Sequence, residues 1–186
     1  GRGGLMGAGQ SGCMSRARGR RTPGVQLVGM ADRPPEGGRQ NLARVGWKEA
    51  AARANSIDDA IKTGATHISD DWQALVRHPA IDVIVECTGN PVAAVDHCLE
   101  AFRNGKHVVN VTVEADAFCG PLLAKRAQEA GVVYSLAFGD QPALICDLVD
   151  WARTCGFPVV AAGRGPKWLP PFCASTPETV WGYSGL

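Results

Sequence analysis

The residues whose types and spacing could do chemistry begin near the N-terminus. Gly7-Ala8-Gly9-Gln10-Ser11-Gly12 is a G-x-G-x-x-G run. In such a run the first glycine permits a tight turn, the second lets the backbone approach a pyrophosphate, and the third lets a helix pack closely on a strand. A helix starting there would present unpaired N–H groups and a partial positive charge to phosphate. In a chain with 23 glycines the run alone is a weak signal, and its context strengthens it. Asp32 and Arg33 close an apolar stretch, with Asp32 standing 20 residues beyond Gly12. A carboxylate at that distance suits the hydroxyls of an adenosine ribose, whereas a neighbouring guanidinium suits a 2′-phosphate. Asp32 therefore favours NAD and Arg33 favours NADP, and the residues leave the choice open.

Four further segments each follow a β-rich run. Thr88-Gly89-Asn90-Pro91 is a glycine-containing turn that could lie against the nicotinamide-ribose side of such a ligand, or simply join a strand to a helix. Thr112-Val113-Glu114-Ala115-Asp116 and Gly139-Asp140-Gln141-Pro142 bring carboxylates to the same edge. Ligands of open α/β sheets bind beyond the carboxyl ends of the strands, so these loops are placed to face one. Glu114, Asp116 and Asp140 could then act as acid or base, bind substrate hydroxyls, or hold a divalent metal. The alternative is helix capping, with Asp116 preceding a helix and Asp140 at an N-cap. Lys167, in Gly163-Arg164-Gly165-Pro166-Lys167, could polarise a carbonyl or anchor an anion, or stand solvated in its loop. The histidines at 67, 78, 97 and 107 have no metal-ligand spacing, and surface or packing roles are expected for His97 and His107.

These groups need a scaffold. Strands are expected at 1–6, 25–30, 81–87, 107–111 and 132–136, the first glycine-heavy and poor in apolar residues. Helices are expected at 13–21, which carries four arginines, and at 47–54, 58–62, 71–77, 92–103 and 121–130. Ser56 and Asp70 can cap helices, Asn90-Pro91 can open one, and Gly105 and Gly131 can close two. Strand alternating with helix predicts an α/β, Rossmann-type doubly wound parallel sheet. Residues 34–46 read as a loop. A further helix at 141–154 carries the stripe Leu144, Leu148, Trp151 and Cys155, and a strand is expected at 158–162. The expected division is a dinucleotide-binding domain at 1–139 and the start of a catalytic domain at 140–186. Because the chain begins with Gly and both ends fall inside apparent motifs, it is expected to be a piece of a longer protein, weak or inactive alone.

The bulk numbers bound the partners. The 186 residues are 45% hydrophobic, enough for a sizeable core. A formal net charge of +1 gives no electrostatic case for nucleic acid or an acidic membrane, and the basic cluster at 16–21 reads as a solvated face. Seven cysteines without a C-x-x-C pair fit reduced thiols and a cytoplasmic protein, with core packing expected for those in apolar runs such as Cys146. No apolar stretch is long enough to span a membrane. A small-molecule substrate is the expected partner, and homo-oligomers are compatible with the sequence.

Several blocks resemble a known family. Lys106-His107-Val108-Val109, Val113-Glu114-Ala115-Asp116, Gly120-Pro121-Leu122-Leu123-Ala124-Lys125-Arg126 and Gly139-Asp140-Gln141-Pro142-Ala143-Leu144-Ile145 are similar to the DRL family. Its members are 1-deoxy-D-xylulose 5-phosphate reductoisomerase-like, homoserine dehydrogenase-like oxidoreductases, usually with a C-terminal SAF domain. The resemblance extends to Val149-Asp150-Trp151-Ala152-Arg153 and the tail from Ser175 to Trp181. It implies a Rossmann domain followed by a catalytic domain, NADPH as cofactor with NAD as the alternative, and a sugar-phosphate or sugar-acid type substrate. It carries the cofactor role onto Gly7, Gly9, Gly12 and the Asp32 region, and the active-site role onto Glu114, Asp116, Asp140 and Lys167. The family usually has Asn where this chain has Thr112, which replaces an amide donor and acceptor with a hydroxyl. Two other readings stand beside it: a homoserine dehydrogenase-like enzyme, and a dinucleotide-sensing Rossmann module without turnover.

Overall fold

The computed structural model describes residues 1–7, 22–33, 35, 40, 43, 49–137, 141–163 and 174–179. The chain divides into two compact units, Gly1–Ala137 and Phe138–Leu186.

In the first unit the strands β1 (Arg2–Met6), β2 (Gln26–Ala31), β3 (His67–Ser69), β4 (Val83–Glu86), β5 (His107–Asn110) and β6 (Tyr134–Leu136) form one sheet. All neighbours are parallel, in the order β3-β2-β1-β4-β5-β6. Its helices described end to end are α1 (Ile57–Thr63), α2 (Trp72–Arg77), α3 (Pro91–Arg103) and α4 (Val113–Glu129), and residues 35, 40 and 43, in the stretch expected as a loop, are helical as well. The winding reverses between β1 and β4, which opens a crevice at their carboxyl ends. Register brings those ends level, since Met6 pairs with both Ala31 and Glu86. This is the doubly wound Rossmann-type sheet expected from the strand–helix alternation.

The middles of the central strands are apolar because both faces are covered there. Adjacent residues join different clusters: Leu5, Met30, Ile68 and Cys87 pack in one, and Met6, Val28, Ile84 and Val108 in the other. The glycine-rich β1 has a packing reason. Leu75 of α2 lies on it and on β2, so a Cβ at Gly4 of β1 would stand 3.2 Å from Leu75 Cγ, and one at Gly29 of β2 would stand 2.3 Å from Leu75 Cδ1. The glycines of β1 and β2 make the seat that buries this leucine, a burial that stabilises by about 2 kcal/mol. The buried Lys106 ties β5 to the α2–β4 connection, its Nζ donating to the carbonyls of His78 at 2.9 Å and Ile81 at 2.7 Å.

Local signals mostly act where the sequence places them. Ser56 accepts from the Asp59 amide at 3.1 Å and caps α1. Asn90 accepts from the Val92 and Ala93 amides at 3.1 Å and caps α3, with Pro91 in its first turn. Gly105 and Gly131 follow α3 and α4 with φ of 68° and 69°.

Other expectations are corrected. The cap of α2 is Asp71, not Asp70, because only the residue next to Trp72 reaches the Ala74 amide, at 2.9 Å. α4 is two helical stretches joined across a kink at Cys119: the second is the helix expected at 121–130, and the first begins at Val113, so Val113, Glu114 and Asp116 lie in a first helical turn and not in a loop. Cys119 breaks the helical path at φ −149° and ψ 24°, and Pro121 is accommodated just beyond that kink, where its missing N–H costs least. The described part of the helix expected at 47–54 holds a 3-10 turn, Glu49–Ala52. The three-residue β3 is absent from the expected strands; it is too short to show an alternation of its own.

In the second unit α5 (Gln141–Thr154) ends at a turn in which Gly156 has φ 84°. Residues 158–162 form no strand with any of the described residues, and Val160 is exposed. Cys146 and Cys155 are exposed, against the packing role expected for Cys146, whereas Cys87 and Cys98 are buried. No helix among the described residues is long and apolar enough to cross a membrane.

Candidate functional site

The crevice at the carboxyl edge holds a cavity of about 400 Å³. Met6 and Gly7 from the end of β1, Asp32 and Arg33 after β2, Asp70 and Trp72 after β3, and Thr88 and Asn90 after β4 line it. Ala93 and His97 of α3 complete the wall. Nearly all of these residues are there because a strand ends there.

Gly7 is the tightest point. Its amide donates to the Ala31 carbonyl at 2.9 Å, and its φ of 88° lies in the left-handed region that favours glycine. A Cβ at this position would stand 2.8 Å from Thr88 Cα and 2.9 Å from the Cys87 carbonyl oxygen. The backbone of β1 thus passes flush against the start of the next loop, as the first glycine of a phosphate-binding turn must. The remaining fingerprint residues, Ala8, Gly9, Gln10, Ser11 and Gly12, lie outside the described residues, with the expected arginine-rich helix. Asp140 and Lys167 lie outside them too.

Asp32 is part-buried at the cavity, its amide donating to the Ser69 carbonyl at 3.0 Å, and Arg33 is exposed beside it. The residues present fit a nicotinamide dinucleotide. A carboxylate that suits ribose hydroxyls lines the cavity, an aromatic ring, Trp72, borders the same space, and a glycine admits the backbone where a side chain cannot go.

Behind the cavity lies a polar network whose centre, Glu86, sequence reasoning missed. Glu86 ends β4 with no exposed surface. Its Oε1 accepts from the Thr88 hydroxyl at 2.6 Å and lies 3.2 Å from His97 Nδ1. Its Oε2 accepts a short hydrogen bond from the Thr112 hydroxyl. Thr112 in turn accepts from the Gly89 amide at 3.1 Å, so the loops after β4 and β5 are locked together. Thr112 is buried and its hydroxyl is engaged with the protein itself. The signal that could have found Glu86 is an acid closing an otherwise apolar buried strand, which must be partnered.

The network continues outward. Asn110, also fully buried, accepts from the Thr112 amide at 3.0 Å and donates to the Tyr134 hydroxyl at 3.0 Å. That hydroxyl donates to Asp116 Oδ1 at 2.9 Å. Burial pushes the Tyr134 phenol up, helped by the Asp116 carboxylate and opposed by the Asn110 hydrogen bond. Burial, followed by the Glu86 charge, pushes the Cys98 thiol up to about 12, so it is an inert core group. Asp116 thus faces Tyr134, while Glu114 is exposed and makes no hydrogen bond among the described residues. Neither lines the cavity, so the expected cluster of carboxylates at one end of the ligand is not assembled among the described residues. Nor do those residues contain a group of three or more His, Cys, Asp or Glu that could hold a metal.

Sheet order, crevice and glycine contact define a dinucleotide-binding domain of the doubly wound class. Residues 17–136 match the model of the homoserine dehydrogenase NAD binding domain, and residues 139–184 match that of the oxidoreductase DRL catalytic domain. The chain belongs to the homoserine dehydrogenase NAD-binding domain family, and its cofactor class is a nicotinamide dinucleotide. A homoserine dehydrogenase from Pseudomonas aeruginosa is 39% identical over 84 residues, which cover 45% of this chain and 19% of that relative. The matched part is thus about a fifth of the relative's length. A homoserine dehydrogenase from Thiobacillus denitrificans superposes with TM-score 0.55 at 22% identity, over 82% of this chain and 33% of that one. An NAD binding oxidoreductase from Klebsiella pneumoniae gives 0.53 at 22%, over 83% and 38%. At such identities the solved structures establish the fold alone.

Proposed function

We propose that this chain is the cofactor-binding part of an NAD(P)-dependent oxidoreductase that passes a hydride between the nicotinamide and a carbonyl of a small substrate. The observation that carries the reading is Gly7, where the backbone of Cys87 and Thr88 fills the space a Cβ would need, at the mouth of a cavity lined by Asp32. When bound, the cofactor supplies the hydride; the protein positions both partners and moves the proton. Asp32 accepts hydrogen bonds from the adenosine ribose. The network of Glu86, Thr88 and Thr112 holds the turn at Thr88–Asn90 rigid beside it. Two carboxylates on the cavity, Asp32 and Asp70, against one guanidinium, Arg33, favour a ribose diol and hence NAD, whereas the family resemblance favours NADPH.

Glu114, with Asp140 and Lys167, is proposed for acid–base chemistry and oxyanion stabilisation, and Asp116 for positioning through Tyr134. The substrate class proposed from the DRL-like match is a sugar phosphate or sugar acid. The 39% identical stretch supports a second reading, homoserine or a related amino-acid semialdehyde. Calorimetric titration with NAD⁺ and NADP⁺ tests the first step, and binding of neither overturns the proposal. Turnover of the full-length protein on sugar phosphates or on homoserine separates the two substrate readings. Cofactor binding with no turnover on any carbonyl substrate would favour the sensor.

A further inference from the structure

Gly7 is held on two sides, and the two ties differ in kind. Toward β2 its amide donates to the Ala31 carbonyl at 2.9 Å, a backbone bond open to almost any sequence. Toward β4 the tie comes from a side chain. The Cys87 thiol, in a residue 7% exposed, stands 2.9 Å from the Met6 carbonyl oxygen and 3.4 Å from that of Gly7. Carbonyl oxygens only accept, so the thiol is the donor to both. The Cys87 amide donates to the same Met6 carbonyl at 2.9 Å, so one residue grips the end of β1 through backbone and side chain together. Cys87 packs with Leu5, Met30 and Ile68 and is not among the residues that line the cavity. Glycine needs such a tie more than another residue would. Without a Cβ its backbone visits both signs of φ, and the 88° at Gly7 is one of several conformations open to it. A swing of this residue would turn its carbonyl oxygen into the crevice, where it would oppose the oxygens of a phosphate.

We propose that Cys87 is a positioning residue for the cofactor: its thiol holds the Gly7 carbonyl against β4, so that the mouth of the crevice is shaped for a pyrophosphate before one arrives. The proposal rests on the reading of this cavity as a dinucleotide site. The thiol itself touches no ligand and acts through Gly7. Its contribution is pre-organisation, since a turn already fixed in the free protein need not be ordered on binding. Removing the donor therefore weakens binding, whereas removing a buried thiol elsewhere in the core lowers stability and leaves binding alone. Cys98, fully buried and without a hydrogen bond among the described residues, is the thiol that separates the two effects.

The test is calorimetric titration of NAD⁺ into the chain and its variants, with urea denaturation of each. Cys87→Ala, which lacks the donor, is expected to bind NAD⁺ about fivefold more weakly, the effect of one hydrogen bond. Cys87→Ser, which keeps a donor, is expected to bind at least about twofold more tightly than Cys87→Ala. Cys98→Ala is expected to lower the urea midpoint with NAD⁺ affinity unchanged. Wild-type affinity in Cys87→Ala, no recovery in Cys87→Ser, or an equal loss of affinity in Cys98→Ala overturns the proposal, the last because it would tie binding to core stability alone. Should Cys87→Ala fail to fold, Cys87→Val fills the buried space without the donor and carries the same expectation. Wild-type affinity in these variants removes the role of Cys87 and leaves the dinucleotide reading standing. Failure of both NAD⁺ and NADP⁺ to bind the wild type removes the dinucleotide reading, and this proposal with it.

Discussion

The carboxyl edge of the sheet has two halves that treat their polar groups in opposite ways. Around β1, β2 and β3 the chain places Asp32, Asp70 and Trp72 along a cavity, and Gly7 supplies bare backbone at its mouth. Around β4, β5 and β6 the polar groups face one another: Glu86, Thr88, Thr112, Asn110, Tyr134 and Asp116 form one continuous set of hydrogen bonds. A side chain that is to bind a ligand must keep some hydrogen-bonding capacity for it. A side chain that is to hold a loop in place must be fully satisfied, because a half-satisfied buried network is costly. The first half is built to receive and the second to position. His97 lies where they meet, with one nitrogen toward Glu86 and its ring at the cavity.

Substitutions can break this comparison. The largest loss of stability is expected from Glu86→Leu. It leaves the hydroxyls of Thr88 and Thr112 and the His97 Nδ1 without their buried acceptor, at a cost of about 3 kcal/mol in urea denaturation. A loss below about 1 kcal/mol would mean the network positions nothing. Gly7→Ala is expected to cost about 2 kcal/mol, because φ of 88° is unfavourable for alanine and its Cβ meets backbone atoms of Cys87 and Thr88. It should also abolish dinucleotide binding even where the variant remains folded, whereas Glu86→Leu should weaken binding only in proportion to the disorder it causes. Next in size, Asp32→Ser is expected to weaken NAD⁺ about tenfold and NADP⁺ little, since Arg33 remains to meet a 2′-phosphate. An unchanged NAD⁺/NADP⁺ ratio would place the ribose elsewhere.

Legibility in the sequence follows the same division. The receiving half announces itself through short-range signals. A glycine of the fingerprint, an acid at a set distance and a turn before Asn90-Pro91 each act through their own backbone, and each stands at the strand end where its signal puts it. The positioning half is a tertiary arrangement. Glu86 and His97 are 11 residues apart, and Asn110 and Tyr134 are 24 apart; nothing local tells that β4, α3, β5 and β6 bring them within 3.2 Å. The early start of α4 is hidden for a different reason. Val113-Glu114-Ala115-Asp116 reads as a loop because Pro121 marks the start of a helix, and a further helical stretch joins that helix from the other side of the kink at Cys119. Long-range packing again explains β1, whose Gly4 weakens it as an isolated strand yet fits Leu75 of a helix far along the chain.

The smallest effect lies at the outer end of the network, where Tyr134 joins Asn110 to Asp116. Tyr134→Phe removes one hydroxyl and leaves an amide donor and a carboxylate oxygen to find other partners, at a cost of about 1 kcal/mol near neutral pH. That cost should depend on pH in a way packing alone would not. Burial and the neighbouring Asp116 carboxylate raise the phenol pKa of the folded protein above its unfolded value of about 10. Once the pH passes about 10, the unfolded chain releases this proton while the folded one keeps it, so the unfolded state binds fewer protons and stability falls. The advantage of the wild type over Tyr134→Phe is therefore full below about pH 10 and shrinks as the pH rises through and beyond it toward the folded value. Urea midpoints of the two proteins at about pH 8, 9.5 and 10.5 measure that gap directly, with all other titrating groups common to both. A gap that stays constant across the series would mean that the hydroxyl is not held in the buried, carboxylate-facing position that ties α4 to the sheet.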